Sequence, residues 1–225
     1  MFPWYLAQLQ AGADLKDLIA QAQLGQDYCS KMTTPVPPYR QAIESQTAAR
    51  HMVAGQLVTQ LLQIFILTMG ARRVLELGTL TGYSALAMAE VLPPDGLIIT
   101  CDRDGQAQAN FDRVPWGSKI QLRVGLIADI LPQLIAENYQ FDLVFLDADK
   151  RNYCHYYQTI LDHHLLRSGG ILCADNTLLR GEVWQPQPSP AALAIHQFNR
   201  LVAEDERVSQ VLLPVRDGIT IVYRH

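Results

Sequence analysis

The sequence predicts an α/β protein built on a doubly wound, mostly parallel sheet with one reversed strand. Three observations predict it. Residues 73–84 (RVLELGTLTGYS), 141–150 (FDLVFLDADK) and 169–176 (GGILCADN) each hold an apolar run that ends in glycines or carboxylates. Strands buried on both faces read as such unbroken runs. Between them lie stretches of helical character, and strand–helix alternation is the pattern of a parallel sheet with helices on both faces. At the end, two β runs are separated by only Val215-Arg-Asp217, which reads as a hairpin and reverses the last strand.

Each element follows in order. Residues 1–40 are helical in tendency and break at Pro35-Val-Pro-Pro38, so they read as an appendage to a domain spanning 41–225. A helix is expected over 41–69, with a possible break near Gly55, and Gly70 ends it as a C-cap. Strand 1 covers 74–77, and a glycine loop leads into a helix over 83–91. Pro93-Pro-Asp-Gly96 stops that helix and turns the chain. Strand 2 covers 97–101 and ends at Asp102. Strand 3 covers 120–124, followed by a helix near 127–138. Strand 4 covers 143–146, with a helix after Asn152, and strand 5 covers 171–174. Residues 186–190 form a proline-rich loop before a helix near 191–204, and the hairpin uses 208–214 and 218–223. No internal repeat or low-complexity tract interrupts this order.

Composition narrows the function classes. The 225 residues are 49 % hydrophobic and 18 % charged, which suits a packed domain rather than a disordered chain. A net charge of −4 leaves no basic footprint for nucleic acid. The most apolar stretch, residues 57–69, is interrupted by Thr59, Gln60, Gln63 and Thr68 and is shorter than the roughly 20 apolar residues of a membrane span. Residues 1–7 lack a basic lead and a full apolar core, so no signal peptide is expected. Cys29, Cys101, Cys154 and Cys173 show no CxxC spacing and read as reduced thiols of a cytoplasmic protein. The histidines show no ligand spacing, and Trp4, Trp116 and Trp184 read as packing residues.

Ligands of such sheets sit at the carboxyl ends of the strands. Glu76, Asp147, Asp149, Asp175 and Asn176 should therefore meet in one crevice. The Gly78-Thr-Leu-Thr-Gly82 loop lets a ligand approach the backbone, though by itself it is also an ordinary tight turn. It is not GxGxxG, so the dinucleotide fingerprint is absent. Glu76 before the loop suits an ammonium. Asp102 at the end of strand 2 suits ribose hydroxyls. Ammonium and ribose without phosphate describe S-adenosylmethionine.

Asp147, Asp175 and Asn176 form a possible cation site. If strands 4 and 5 are neighbours, about 4.8 Å apart, two carboxylates and an amide converge. Like charges repel, so a cation is expected between them, and oxygen donors favour Mg²⁺, Mn²⁺ or Ca²⁺ over zinc. Without that adjacency they read as separate strand caps. Lys150 reads first as a surface ion pair, but beside a dication it can serve as a general base.

With these residues in view, LELGTLTGYS (75–84), LDADKRNY (146–153), ADNTLLRGEV (174–183) and LPVRDGITI (213–221) resemble the cation-dependent O-methyltransferases, among them the caffeoyl-CoA and catechol enzymes and their bacterial relatives. The resemblance covers roughly residues 50–225. It implies a Rossmann-like seven-stranded sheet, the S-adenosylmethionine-dependent methyltransferase fold. By matched position, Met52, Glu76, Gly78, Thr79, Ser84, Asp102 and Asp149 would hold the donor, with Ile127 beside the adenine where alanine is usual. Asp147, Asp175 and Asn176 would ligate Mg²⁺, or Mn²⁺ or Ca²⁺. Lys150 would be the base, and Arg180 and Asp217 would contact the acceptor. The implied acceptor is a vicinal dihydroxy aromatic. A homodimer is implied as well, with residues 1–40 serving the substrate and dimer region.

The chain also departs from the pattern. The segment between Asp102 and Gly125 is about four residues short, so the helix there should be trimmed. Ala54 and Val58 replace a Thr and a Glu of plant members. Two other functions remain open. One is a tRNA hydroxyuridine O-methyltransferase, which would need a basic patch around Arg40, Arg50 and Arg180. The other is a non-catalytic protein that binds S-adenosylmethionine.

Overall fold

The structure is a computed structural model, and it describes residues 24–225. The chain divides into two compact units, Met1–Pro35 and Val36–His225. In the first, residues 24–31 are helical. The rest of the expected appendage up to residue 23, including Trp4, lies outside the described residues.

The second unit is a seven-stranded sheet flanked by helices. Its elements in chain order are α1 (Pro38–Gln46), α2 (Gly55–Met69), β1 (Arg73–Leu77), α3 (Tyr83–Val91), β2 (Leu97–Asp102), α4 (Gln108–Phe111) and β3 (Ile120–Val124). Then follow α5 (Ile127–Ala136), β4 (Phe141–Leu146), α6 (Tyr153–Asp162), β5 (Leu166–Asp175), α7 (Pro190–Ala203), β6 (Val208–Leu213) and β7 (Ile219–Arg224). The strand order is β3-β2-β1-β4-β5-β7-β6. All neighbours pair in parallel except those of β7, which is antiparallel to both β5 and β6. The seven-stranded sheet with one reversed strand is as expected, and between Asp102 and Gly125 the helix α4 has four residues.

Alternation along the strands builds two cores. Leu75, Leu77, Val144 and Leu146 pack with Leu134, Tyr157 and Phe198 on the α5–α6–α7 side. Val74, Leu143 and Phe145 pack with Val58, Leu62 and Leu86 on the α2–α3 side. The stretch Arg50–Met69 is long and apolar enough to cross a membrane by length and composition. The expectation from residues 57–69 alone, that the stretch is too short, does not hold once the preceding turn is included. The apolar face of α2 is nevertheless spent inside the protein: Val58, Leu62 and Ile66 are fully buried, and Gln63 Nε2 donates to Ala87 O.

The break expected near Gly55 is present: the region 41–69 holds two helices, separated by residues 47–54. Thr47 leaves the helical region at φ −73, ψ 118, and both its backbone N–H and its hydroxyl donate to Ile43 O, closing the last turn of α1. The helix resumes at Gly55, with φ 76, and ends at Gly70, whose left-handed φ of 61 makes it the expected C-cap. Strand β4 starts two residues early, at Phe141, and β5 starts at Leu166 rather than 171. Gly169-Gly170 lies inside β5, where the register with β4 shifts between Phe141 and Leu143.

Candidate active site

Register brings the site together. Leu77 pairs with Cys101 on one side and Leu146 on the other, and Leu146 pairs with Ala174. The next residues, Gly78, Asp102, Asp147 and Asp175, therefore form one row along the carboxyl edge of four adjacent strands. The adjacency of β4 and β5 that the cation site requires is present.

Gly78 makes the row close. Its φ is +103, and a Cβ there would overlap the carbonyl of Asp147. Gly78→Ala should destabilise the fold by about 2–4 kcal/mol through backbone strain and overpacking combined. A urea melt unchanged from wild type would contradict this.

The donor side centres on Glu76, which is fully buried. Its Oε2 accepts from Thr100 Oγ1 at 2.5 Å, and Thr79 Oγ1 lies 2.5 Å from the same hydroxyl. Burial lifts the Glu76 carboxyl to about 8, while the Ser84 and Thr100 hydroxyls pull it down. Among the described residues, Oε1 finds no hydrogen-bond partner. A buried polar atom left in this state calls for an outside donor. Asp102 does more than the sequence suggested. Its Oδ2 accepts from the amides of Thr79 (2.9 Å) and Leu80 (2.7 Å), and its Oδ1 accepts from Arg103 N (2.6 Å). It therefore braces the glycine loop from the end of β2.

The other donor-side residues are placed less directly. Ser84 is the buried second residue of α3. Asp149 accepts from Asn152 Nδ2 (2.7 Å) and Tyr156 OH (2.8 Å), so both its oxygens already serve the loop and α6. Ile127 opens α5 and packs partly buried against the core, while Met52 is 57 % exposed in a single turn before α2.

On the cation side, Asp175 is 2 % exposed and accepts from Asn176 N at 2.8 Å. Burial, then the charge of Asp147, pushes its carboxyl up to about 7. Asn176 adopts φ 59, a left-handed backbone that asparagine tolerates. Lys150 Nζ donates to Asp147 Oδ1 at 2.8 Å and to Tyr153 OH at 2.7 Å. The hydroxyl of Tyr153, itself fully buried, lies 3.2 Å from Leu146 O and 3.0 Å from Asp175 O, both of which accept from it. Tyr153 thus ties the ends of β4 and β5 together and holds Lys150. Among the described residues there is no cluster of three or more His, Cys, Asp and Glu side chains that could hold a metal. The donor set on hand is two carboxylates and an amide. It fits a hard cation, because two like charges at one buried edge are relieved by positive charge.

Beyond the end of β5, two loops meet. After β5, Thr177 N donates to Gly218 O (3.1 Å), Leu178 N to Asp217 O (2.9 Å) and Arg180 N to Asp217 Oδ1 (2.5 Å). Arg180 and Asp217 therefore meet, through the backbone of one and the carboxylate of the other.

Sequence reasoning missed Thr100, Tyr153 and Arg216. A threonine inside the apolar run LIITCD was a readable signal, and so was a tyrosine three residues after Lys150. Arg216 gave none. Other expectations resolve as follows. All four cysteines are unpaired. Trp116 packs edge-on against Tyr39, at 5.3 Å between rings, but Trp184 is 64 % exposed and is not a packing residue. Arg40 is buried, with Nη1 donating to Thr59 Oγ1 (3.2 Å) and Nη2 3.7 Å from Glu90. It cannot contribute to a basic surface patch.

The family model for O-methyltransferases matches residues 36–225. The chain belongs to this family. It is 39 % identical over 164 residues to a catechol O-methyltransferase of Niastella koreensis, covering 70 % of each chain. It is 36 % identical over 179 residues to caffeoyl-CoA O-methyltransferase 2 of Zea mays, covering 73 % of this chain and 67 % of that one. Among solved structures, the SAH-bound Podospora anserina methyltransferase PaMTH1 aligns with a TM-score of 0.81 at 26 % identity, over 92 % of this chain and 96 % of that one. The Bacillus cereus O-methyltransferase in complex with SAH aligns at 0.80 and 29 % identity, over 90 % and 97 %. The protein is an O-methyltransferase with the fold the sequence resemblance implied.

Proposed function

We propose that this O-methyltransferase moves the methyl group of S-adenosylmethionine to one hydroxyl of a vicinal dihydroxy aromatic, with a divalent cation, Mg²⁺ first among Mg²⁺, Mn²⁺ and Ca²⁺, held by Asp147, Asp175 and Asn176. One observation carries the reading: these oxygen donors stand on neighbouring strand ends beside Lys150, in the same row as Gly78 and Asp102. The SAH-bound relatives support the donor. When bound, the donor would supply an electrophilic methyl, and a cation held by Asp147, Asp175 and Asn176 would supply a Lewis acid that makes the hydroxyl more acidic. The protein's residues do the rest. Glu76 offers its unpartnered Oε1 to the donor's ammonium. Asp102 receives the ribose hydroxyls and keeps the glycine loop in place. Once Asp147 is engaged by the cation and Lys150 has given a proton to solvent, its neutral Nζ would take the acceptor's proton, and Tyr153 holds it in position. Alignment of this kind supplies several kcal/mol of rate enhancement.

Asp102→Ala should weaken S-adenosylmethionine by about 1.5–3 kcal/mol, the range for hydrogen bonds to a charged group. The loop amides it releases add to that loss. Mn²⁺ affinity should stay unchanged, and calorimetric titration with donor and with Mn²⁺ reads both. Normal donor binding would sink the assignment. A screen with labelled donor, catechols and tRNA tests the acceptor class. Labelled tRNA with unlabelled catechols would establish the hydroxyuridine alternative, which the burial of Arg40 disfavours. A homodimer belongs to the same proposal, and light scattering of the purified chain tests it.

A further inference from the structure

Arg216 is a cation that the reaction above leaves unused. It stands in the β6–β7 loop at φ 52, a left-handed backbone that suits glycine far better than arginine. Its Nη1 donates to the carbonyl of Ala54, just before α2. The missing side chain of Gly55 leaves room for this, since a Cβ there would overlap the guanidinium. The head group is therefore anchored across the gap between the hairpin loop and the start of α2.

The charge of Arg216 is not consumed by this contact. Among the described residues no carboxylate lies within ion-pair distance of it, and Arg180 on the adjoining loop also lacks such a partner. Ile219 pairs with Asp175 at the end of β5, and the neighbouring Asp217 and Gly218 accept from the amides of Leu178 and Thr177. The loop that carries Arg216 therefore lies against the segment that follows Asp175, and its guanidinium spans from there to the start of α2. A guanidinium fixed through one nitrogen keeps its remaining N–H donors in a planar fork that matches a carboxylate. With a cation held by Asp147 and Asp175, those two carboxylates are no longer free to offset it.

We propose that Arg216 is a specificity-determining residue that selects acceptors bearing a carboxylate on the ring, away from the two hydroxyls. The proposal rests on the vicinal dihydroxy reading. The test compares kcat/KM for 3,4-dihydroxybenzoate and for 4-methylcatechol, at saturating S-adenosylmethionine and Mg²⁺. The wild-type ratio should favour the carboxylate by about 10–100-fold, the worth of a charge-assisted hydrogen bond. Arg216→Gly, which suits the backbone, should collapse that ratio toward one, mainly through KM for the carboxylate. Arg216→Lys should retain part of it. A wild-type ratio at or below one overturns the proposal. So does an Arg216→Gly enzyme that loses both acceptors in equal measure, since that marks a merely structural strap. Turnover of neither acceptor by the wild type overturns the dihydroxy reading, and this proposal with it.

Discussion

Lys150→Ala should lower kcat by about 10²–10⁴-fold, the usual worth of a positioned acid or base. The side chain is 18 % exposed, and its Nζ is fixed by Asp147 Oδ1 and by Tyr153 OH. Neither contact involves Glu76 or Asp102, so affinity for S-adenosylmethionine should barely change. Steady-state kinetics with a donor titration separates the two parameters. A fall in kcat of under about threefold would leave Lys150 as an ion-pair partner and remove it from the chemistry.

Asp175→Ala should produce the opposite separation from Asp102→Ala. Asp175 is the more deeply buried of the two candidate carboxylate ligands, and it lies on β5, three strands from β2. Its loss should weaken Mn²⁺ by more than about 100-fold, beyond what removal of an outer partner of a metal ligand costs. Turnover should fall with it, while donor affinity stays nearly intact. Calorimetry with Mn²⁺ and with donor gives both numbers. Joint loss of donor and metal would show that the two subsites are not separable.

What the sequence made legible was the strand ends. Buried parallel strands announce themselves as apolar runs, and each run here stops at the residue that faces the crevice. The adjacency of β4 and β5, left open by the sequence, is present in the order β1-β4-β5 and brings Asp147 beside Asp175. What stayed hidden depends on register and on backbone conformation. The hydroxyl chain from Glu76 through Thr100 to Thr79 exists because Glu76 pairs with Thr100 across two strands, and no local pattern encodes that pairing. The same holds for Asp102, whose hydrogen bonds to the loop arise only when β2 lies beside β1. The start of β5 was missed because its first five residues, LRSGG, are not an apolar run. Arg40 misled because charge is read from sequence as surface, whereas here the arginine is enclosed by Thr59, Glu90 and the Tyr83 ring, 5.6 Å away. Arg216 could not be found at all, since its reach to Ala54 joins residues 162 positions apart.

The central claim is cation-dependent methyl transfer to a dihydroxy aromatic, and one assay meets it directly. Purified protein is chelated exhaustively, checked by elemental analysis, and given labelled S-adenosylmethionine with a catechol acceptor. The account predicts no labelled product without cation, and recovery on adding Mg²⁺ or Mn²⁺. Full turnover by the metal-free protein would contradict it.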